Sequence, residues 1–467
     1  MAPSGAGEHA VTAIDTAPPF LAGTQPPPRR APLPMLSKQP SNSFESIPLG
    51  AYEQPVWEQR GLLNRAWLIN DPAGLKRVLI DNVANYPKTA MENRFFRALF
   101  GDGLLSREGE AWRAHRRIMA PSFDPRSVAG YAEAMAGASA AFADGWARLT
   151  NGSEVDVSAE MTSLTLDIIS RTMFSADAAE MTGMTGAALH RGQEEAFEFG
   201  LLDILPIIGP RRLEKKIKLM GEIFAPMDGA LARLIEARLA DPRKTDLLGR
   251  LVAALDEDTG ARMTFQEVRD EVLTIFVAGH ETTASAMSFV WYLLSQHPAE
   301  EARLHAELDT VLQGRAPTDA DVPKLVYARR IIEESMRLYP PAPGLSARMA
   351  VAADEIAGHR IPAGGMVVMS PWVLHRHRTL WDHPERFDPD RFSAERSAGR
   401  PRFAYMPFGG GPRVCIGQQL AMTEATLILA TIAQRYRLRL KPGHTVEIQN
   451  RVTIRPKGGL PMTVERR

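Results

Sequence analysis

Apolar residues recur at three- and four-residue spacing over 127–149, 159–176, 186–204, 211–240, 265–296 and 298–313, and this periodicity predicts helices. Gly209-Pro210 and Asp241-Pro242 punctuate them. IGQQLAMTEATLILATIAQRY, from Ile416, predicts a further amphipathic helix. Short β-like pieces with turn residues lie at 347–370, and alternating stretches (RLRL, TVEIQ, MTVE) lie within 436–465. Irregular Gly- and Pro-rich chain fills 380–414, and so long a structureless stretch in a compact domain usually has a functional reason. Residues 1 to about 45 are rich in Pro, Ala, Gly and Ser and cannot bury enough apolar surface to offset their ordering entropy. The expectation is a flexible leader, 1–45, and one domain, 46–467, mainly α with a small β region.

Charge narrows the function. Lys+Arg and Asp+Glu both number 55, so the formal net charge is zero, which argues against nucleic acid as the main partner. No basic n-region precedes an apolar stretch at the N-terminus. The most apolar run, VLTIFVAG at 272–279, falls well short of the ~20 residues a spanning helix needs. A cytoplasmic protein without a transmembrane anchor is expected.

The single cysteine, Cys415, excludes an intrachain disulfide and sits in FGGGPRVCIG, 408–417. Zinc would want several Cys or His ligands, whereas one thiolate with open chemistry opposite suits a haem iron. Glycines at 409, 410, 411 and 417 would let the backbone pass close to a flat macrocycle and aim N–H groups at the sulfur. The following helix would favour an anionic sulfur at its N-terminus, and Arg413 could pair with a haem propionate. Taken alone, Cys415 could equally be a buried inert thiol or a nucleophile awaiting a histidine.

Phe408, Gly411, Arg413, Cys415 and Gly417 together match F-x-x-G-x-R-x-C-x-G, and here the chain resembles the cytochrome P-450 family. Other motifs of that family follow in order. AGHETT, Ala278 to Thr283, resembles its oxygen-activating motif. The resemblance implies that Ala278 and Gly279 leave room beside the haem, that Thr282 hydrogen-bonds the oxygen ligand and that Glu281 relays protons, over a locally broken helix ladder. His280 takes the variable position. Glu334 and Arg337 match E-x-x-R, and Arg386, in PERF, is the third member of the implied buried ion-pair network. Trp112 and Arg116 match W-x-x-x-R and, with Arg348 and Arg413, are the implied propionate partners. Arg113, His115 and Arg117 are either a basic patch for a redox partner or solvated.

The resemblance implies the cytochrome P-450 fold, haem b on Cys415, and monooxygenation with O2 and electrons from NAD(P)H. Because 467 residues leave no room for fused redox domains, a separate ferredoxin and ferredoxin reductase are the expected partners. The motif forms are closest to fatty-acid- and terpenoid-oxidising branches, which implies a lipophilic substrate. Its pocket is expected from 87–105, 197–210 and the surroundings of Phe276 and Val277. A peroxide-driven or rearranging haem-thiolate enzyme and a non-catalytic haem-binding protein are the alternatives, and the Glu281-Thr282 pair argues against both.

Overall fold

The protein is described by a computed structural model, which covers residues 21–25, 27–30, 43–60, 65–175, 208–241 and 246–467. The helices that build the site are α1 (Ala90–Phe100), α2 (Gly109–Met119), α3 (Pro125–Trp146), α4 (Val157–Phe174), α5 (Ile208–Ala240), α6 (Phe265–Gln296), α7 (Pro298–Leu312), α8 (Val326–Leu338) and α9 (Gln418–Ala433). The predicted helices at 127–149, 159–176, 211–240, 265–296 and 298–313 appear within about three residues of their expected ends; the one at 186–204 lies outside the described residues.

Helix α6 is the axis of the molecule. A capping box starts it: the Thr264 hydroxyl accepts from the Glu267 N–H, and the Glu267 carboxylate accepts from the Thr264 N–H. Most of its length is buried, because α4, α8 and α9 pack around it. Helix α9 departs from the amphipathic expectation. Enclosed by α3, α6 and α8, it buries every residue from Met422 to Ala433.

Short strands are β1 (Val56–Arg60), β2 (Arg65–Ile69), β3 (Ser153–Asp156), β4 (Arg348–Met349), β5 (Asp354–Ile356), β6 (His359–Ile361), β7 (Met366–Val368), β8 (Tyr436–Leu440), β9 (Ile448–Asn450), β10 (Ile454–Pro456) and β11 (Pro461–Arg466). The largest sheet has the order β1-β2-β7-β4, with β2 and β7 parallel. A second sheet, β3-β11-β8, is antiparallel, and two hairpins, β5-β6 and β9-β10, stand apart. One apolar core runs through the helices. A second lies under the larger sheet and includes Leu75, Leu79, Phe403 and Met406, so it underpins the irregular chain that leads to Cys415.

The described part of the leader is docked. The Ala22 N–H donates to the Tyr292 hydroxyl at 3.1 Å and its carbonyl accepts from the Tyr339 hydroxyl at 2.8 Å. Among the described residues no helix is long and apolar enough to cross a membrane.

Candidate haem-thiolate site

The Cys415 N–H donates to the Phe408 carbonyl at 2.9 Å and closes the thiol loop. Gly411 has φ +69°, and a Cβ there would lie 2.3 Å from the Leu79 carbonyl oxygen. At this position protein packing by itself demands glycine. The side chain of Cys415 stays exposed. The protein around it still desolvates the thiol and pushes its pKa up, while the Gly417 N–H and the Arg116 guanidinium pull it down. A metal at the sulfur would deprotonate it outright.

Cations collect beside this loop. The Arg413 guanidinium lies 4.2 Å from the centre of the Trp112 ring. It donates to the Glu108 carboxylate at 2.6 Å and to the Arg107 carbonyl at 3.0 Å, while its Nη1 is buried without a partner. Arg116, on the same helix as Trp112, is lowered by burial and raised by its Coulomb interaction with Cys415. Arg348 is buried. Lys88, which no motif marks in the sequence, pairs with Arg348 through an antiparallel backbone bridge, and its ammonium donates to the Leu105 carbonyl at 2.6 Å. Burial, with Arg413 and Arg348 nearby, pulls the Lys88 pKa down to about 8 despite Glu108 and Glu92. Like charges held this close, with a buried N–H unpaired, call for an anion. The two carboxylates of a haem fit that demand, and the open thiol fits its iron.

The flanking basic residues of α2 are not free. His115 is buried between Glu271 (2.8 Å) and Glu267 (3.0 Å) of α6. Arg117 pairs with Asp256 at 3.0 Å, and Arg113 with Glu110. They form no unpaired basic patch.

Between Asp270 and Leu294 the burial of α6 breaks at one place: Ala278 is exposed, and Gly279, Glu281 and Thr282 are half-buried. The expected interruption of the helix is absent. The Thr282 hydroxyl donates to the Ala278 carbonyl at 2.7 Å and the Thr283 hydroxyl to the Gly279 carbonyl at 3.1 Å, so the polar step is satisfied inside a continuous helix. The Thr453 hydroxyl donates to Glu281 at 2.6 Å. His280 is buried beside the Phe276 carbonyl, and its own carbonyl accepts from Thr165, which makes it part of the packing. Phe276 and Val277 are core residues: Phe276 meets Phe174 of α4 at 5.7 Å. Both are thus packed among core side chains; residues 197–207 of the expected pocket lie outside the described part of the chain.

Glu424 escaped the sequence reading. It is a lone acid in a helix buried all round, with Oε2 3.5 Å from the Thr283 hydroxyl and Oε1 unpartnered. Burial pushes its carboxyl up from 4.5 to about 8, against the Thr283 bond. Between these values the folded chain holds a proton that the unfolded chain releases. The stability it contributes is whole below pH 4.5 and lost as pH rises to about 8, at up to roughly 1.4 kcal/mol per pH unit. Glu424→Gln should therefore gain in thermal midpoint relative to the parent between pH 5 and pH 8. Parallel curves across that range would show that Glu424 is not a buried neutral acid.

The ion-pair network forms around a different arginine. Glu334 and Arg337 are fully buried and joined at 2.6 and 2.8 Å. The second guanidinium on Glu334 belongs to Arg391, 3.3 Å away, not to Arg386. Arg386 contributes only its carbonyl, which accepts from Arg337 at 2.8 Å, and the residue is exposed. Arg337 also donates to the carbonyls of His375 and Pro384. The buried imidazole of His375 in turn accepts the Met406 N–H at 2.8 Å, which ties the network to the loop ahead of Cys415.

Known proteins share this arrangement of chain. The sequence profile of the family described as Cytochrome P450 matches residues 34–461. Cyclooctatin synthase of Streptomyces melanosporofaciens is 39% identical over 78% of this chain and 77% of its own length. Cyclooctat-9-en-7-ol 5-monooxygenase of the same organism is 36% identical over 86% of each chain. Pentalenene oxygenase of Streptomyces avermitilis is 34% identical over 74% of this chain and 76% of its own length. The crystal structure of the cytochrome P450DA heme domain superposes with a TM-score of 0.77 at 29% identity, covering 88% of this chain and 90% of that one.

Proposed function

This chain belongs to the cytochrome P450 family and is a haem-thiolate monooxygenase, and from that premise we propose that it oxygenates a cyclic terpenoid. Its cofactor is haem b, and it uses O2 and electrons that derive from NAD(P)H through redox partners. The bound cofactor supplies the oxidising chemistry, RH + O2 + two electrons + two protons giving ROH + H2O.

Cys415 is the residue that would hold the haem iron through its thiolate, and its N–H bond to the Phe408 carbonyl seats it. Trp112, Arg116, Arg348 and Arg413, joined by Lys88, are the proposed holders of the propionates. Ala278 gives the space on α6, Glu281 brings protons from solvent, and Thr282 orients them. The single observation that carries this reading is the exposed Cys415 thiol beside a cluster of buried and half-buried cations in which the buried Arg413 Nη1 has no partner. A small ferredoxin with its flavoprotein reductase is the proposed electron source. Exposed Arg402, together with Arg329, which is paired with Glu333 at 3.0 Å, lines a cleft with the thiol loop, where an acidic partner surface would meet Arg402 first.

The substrate class rests on the relatives, two of which are named for oxidation of cyclooctat-9-en-7-ol and pentalenene. The test is optical titration of the haem-loaded ferric protein. Cyclooctat-9-en-7-ol or pentalenene should displace the water on iron and shift the spin state at micromolar concentration, and lauric acid should not. A shift with lauric acid alone would move the substrate to the fatty acids.

A further inference from the structure

One turn of chain far from the α6 opening in sequence meets it in space. The β9–β10 hairpin turns at Arg451, Val452 and Thr453, and the Thr453 hydroxyl donates to Glu281 Oε1 at 2.6 Å. Thr453 is nearly buried, whereas Glu281 is half-buried. Four residues along the same face of α6, the Ser285 hydroxyl donates to the Ile454 carbonyl at 2.5 Å. The Ile454 N–H donates to the Pro341 carbonyl at 3.1 Å, in the chain that follows α8. The Arg451 N–H donates to the Thr453 carbonyl at 3.0 Å within the turn. Thr453 is thus held from both sides and is a fixed donor, while a Glu side chain has three torsions to settle.

We propose that Thr453 is a positioning residue of the proton relay: it anchors one carboxylate oxygen of Glu281, so that the other is presented to water at the Ala278–Thr282 opening. This rests on the reading of Glu281 as the relay acid. A hydroxyl–carboxylate bond is short and strong where solvent is scarce, and its direction selects one rotamer of the acid. Without it the carboxylate samples several rotamers, and the proton arrives less often in the orientation that transfer needs. Electrons then leave as hydrogen peroxide, O2 + 2 e⁻ + 2 H⁺ giving H2O2, and less substrate is oxygenated.

The experiment uses the full haem-loaded chain with a surrogate ferredoxin, ferredoxin reductase, NAD(P)H and cyclooctat-9-en-7-ol. Thr453→Val keeps the volume and removes the donor; Thr453→Ser keeps the donor. Thr453→Val should raise peroxide formed per NAD(P)H several-fold with the carbon-monoxide band and the substrate's dissociation constant unchanged, and Thr453→Ser should restore coupling to near the parent. A second readout needs no turnover. The infrared carboxylate band of the ferric protein that disappears in Glu281→Gln should shift in Thr453→Val and stay in place in Thr453→Ser. Should Thr453→Val lose haem, Thr453→Ala takes its place in both measurements. Parent-like coupling and an unshifted band in Thr453→Val, while Glu281→Gln uncouples, would overturn the role of Thr453. Parent-like coupling in Glu281→Gln itself would overturn the relay reading beneath it.

Discussion

Cys415→Ser is expected to remove the strongly red-shifted Soret band of the reduced carbon-monoxide complex altogether, and Cys415→Ala to do the same. No second cysteine exists in the 467 residues to replace the donor. A serine hydroxyl in the same seat would meet the Gly417 N–H and the Arg116 charge, yet these lower the acidity threshold of a thiol only against the burial that raises it. An alcohol, far less acidic, stays protonated there and gives iron a weak neutral ligand. The backbone seat is independent of the side chain, since the Cys415 N–H still reaches Phe408 and Gly411 still fits under Leu79. By solvent accessibility the residue is exposed despite the desolvation of its sulfur, so its replacement should alter the folding stability of the haem-free chain by no more than about 0.5 kcal/mol. Circular dichroism should therefore superpose on the parent while the band is absent and oxygenation is lost. A serine variant that kept the normal band would show that another group holds the iron.

Local pattern and long-range pairing were not equally legible. The 3.6-residue rhythm of 265–296 marks a helix end to end, because Thr264 and Glu267 cap it locally and its apolar positions are continuous. Sheet partners carry no such mark. β2 pairs in parallel with β7 some 300 residues away (Ala66 with Met366), and β3 joins β11 near the C-terminus (Pro461 with Asp156), so the composition of these short strands alone does not reveal their neighbours. Helical periodicity also cannot tell which apolar face meets a cofactor and which meets protein. Phe276 and Val277 look like pocket lining in the sequence and lie in the core. Lys88 and Thr453 depend on tertiary approach to Arg348 and Glu281, and nothing beside them in the chain announces it. Glu424 had a signal, an acid inside LAMTEATLILAT, that the amphipathic reading of α9 obscured.

Arg391 and Arg386 give the sharpest test of what the tertiary structure adds. They occupy the same place in two near-repeats, PERF and PDRF, five residues apart, so sequence spacing does not decide between them. In the fold Arg391 is buried against Glu334, while the Arg386 side chain is exposed and only its carbonyl serves Arg337. The carbonyl survives any substitution. Arg386→Ala should therefore change the thermal midpoint little, within about 0.5 kcal/mol, and leave haem content intact. Arg337→Ala should be severe. Its guanidinium makes bonds to Glu334 and to the carbonyls of His375, Pro384 and Arg386, and its loss leaves the fully buried Glu334 with only Arg391 and the Asp388 N–H and deprives three carbonyls of their donor, at a cost of about 3–5 kcal/mol. Arg391→Ala should fall between them, because Glu334 retains Arg337 and the Asp388 N–H at 2.9 Å. The damage should spread to the cofactor: the His375 carbonyl that Arg337 binds belongs to the residue whose ring holds Met406, at the head of the thiol loop. Haem-loaded yield and unfolding midpoint should consequently rank the parent level with Arg386→Ala, then Arg391→Ala, then Arg337→Ala. Reversal of the two middle variants would return the third place in the network to Arg386 and contradict the packing around Glu334.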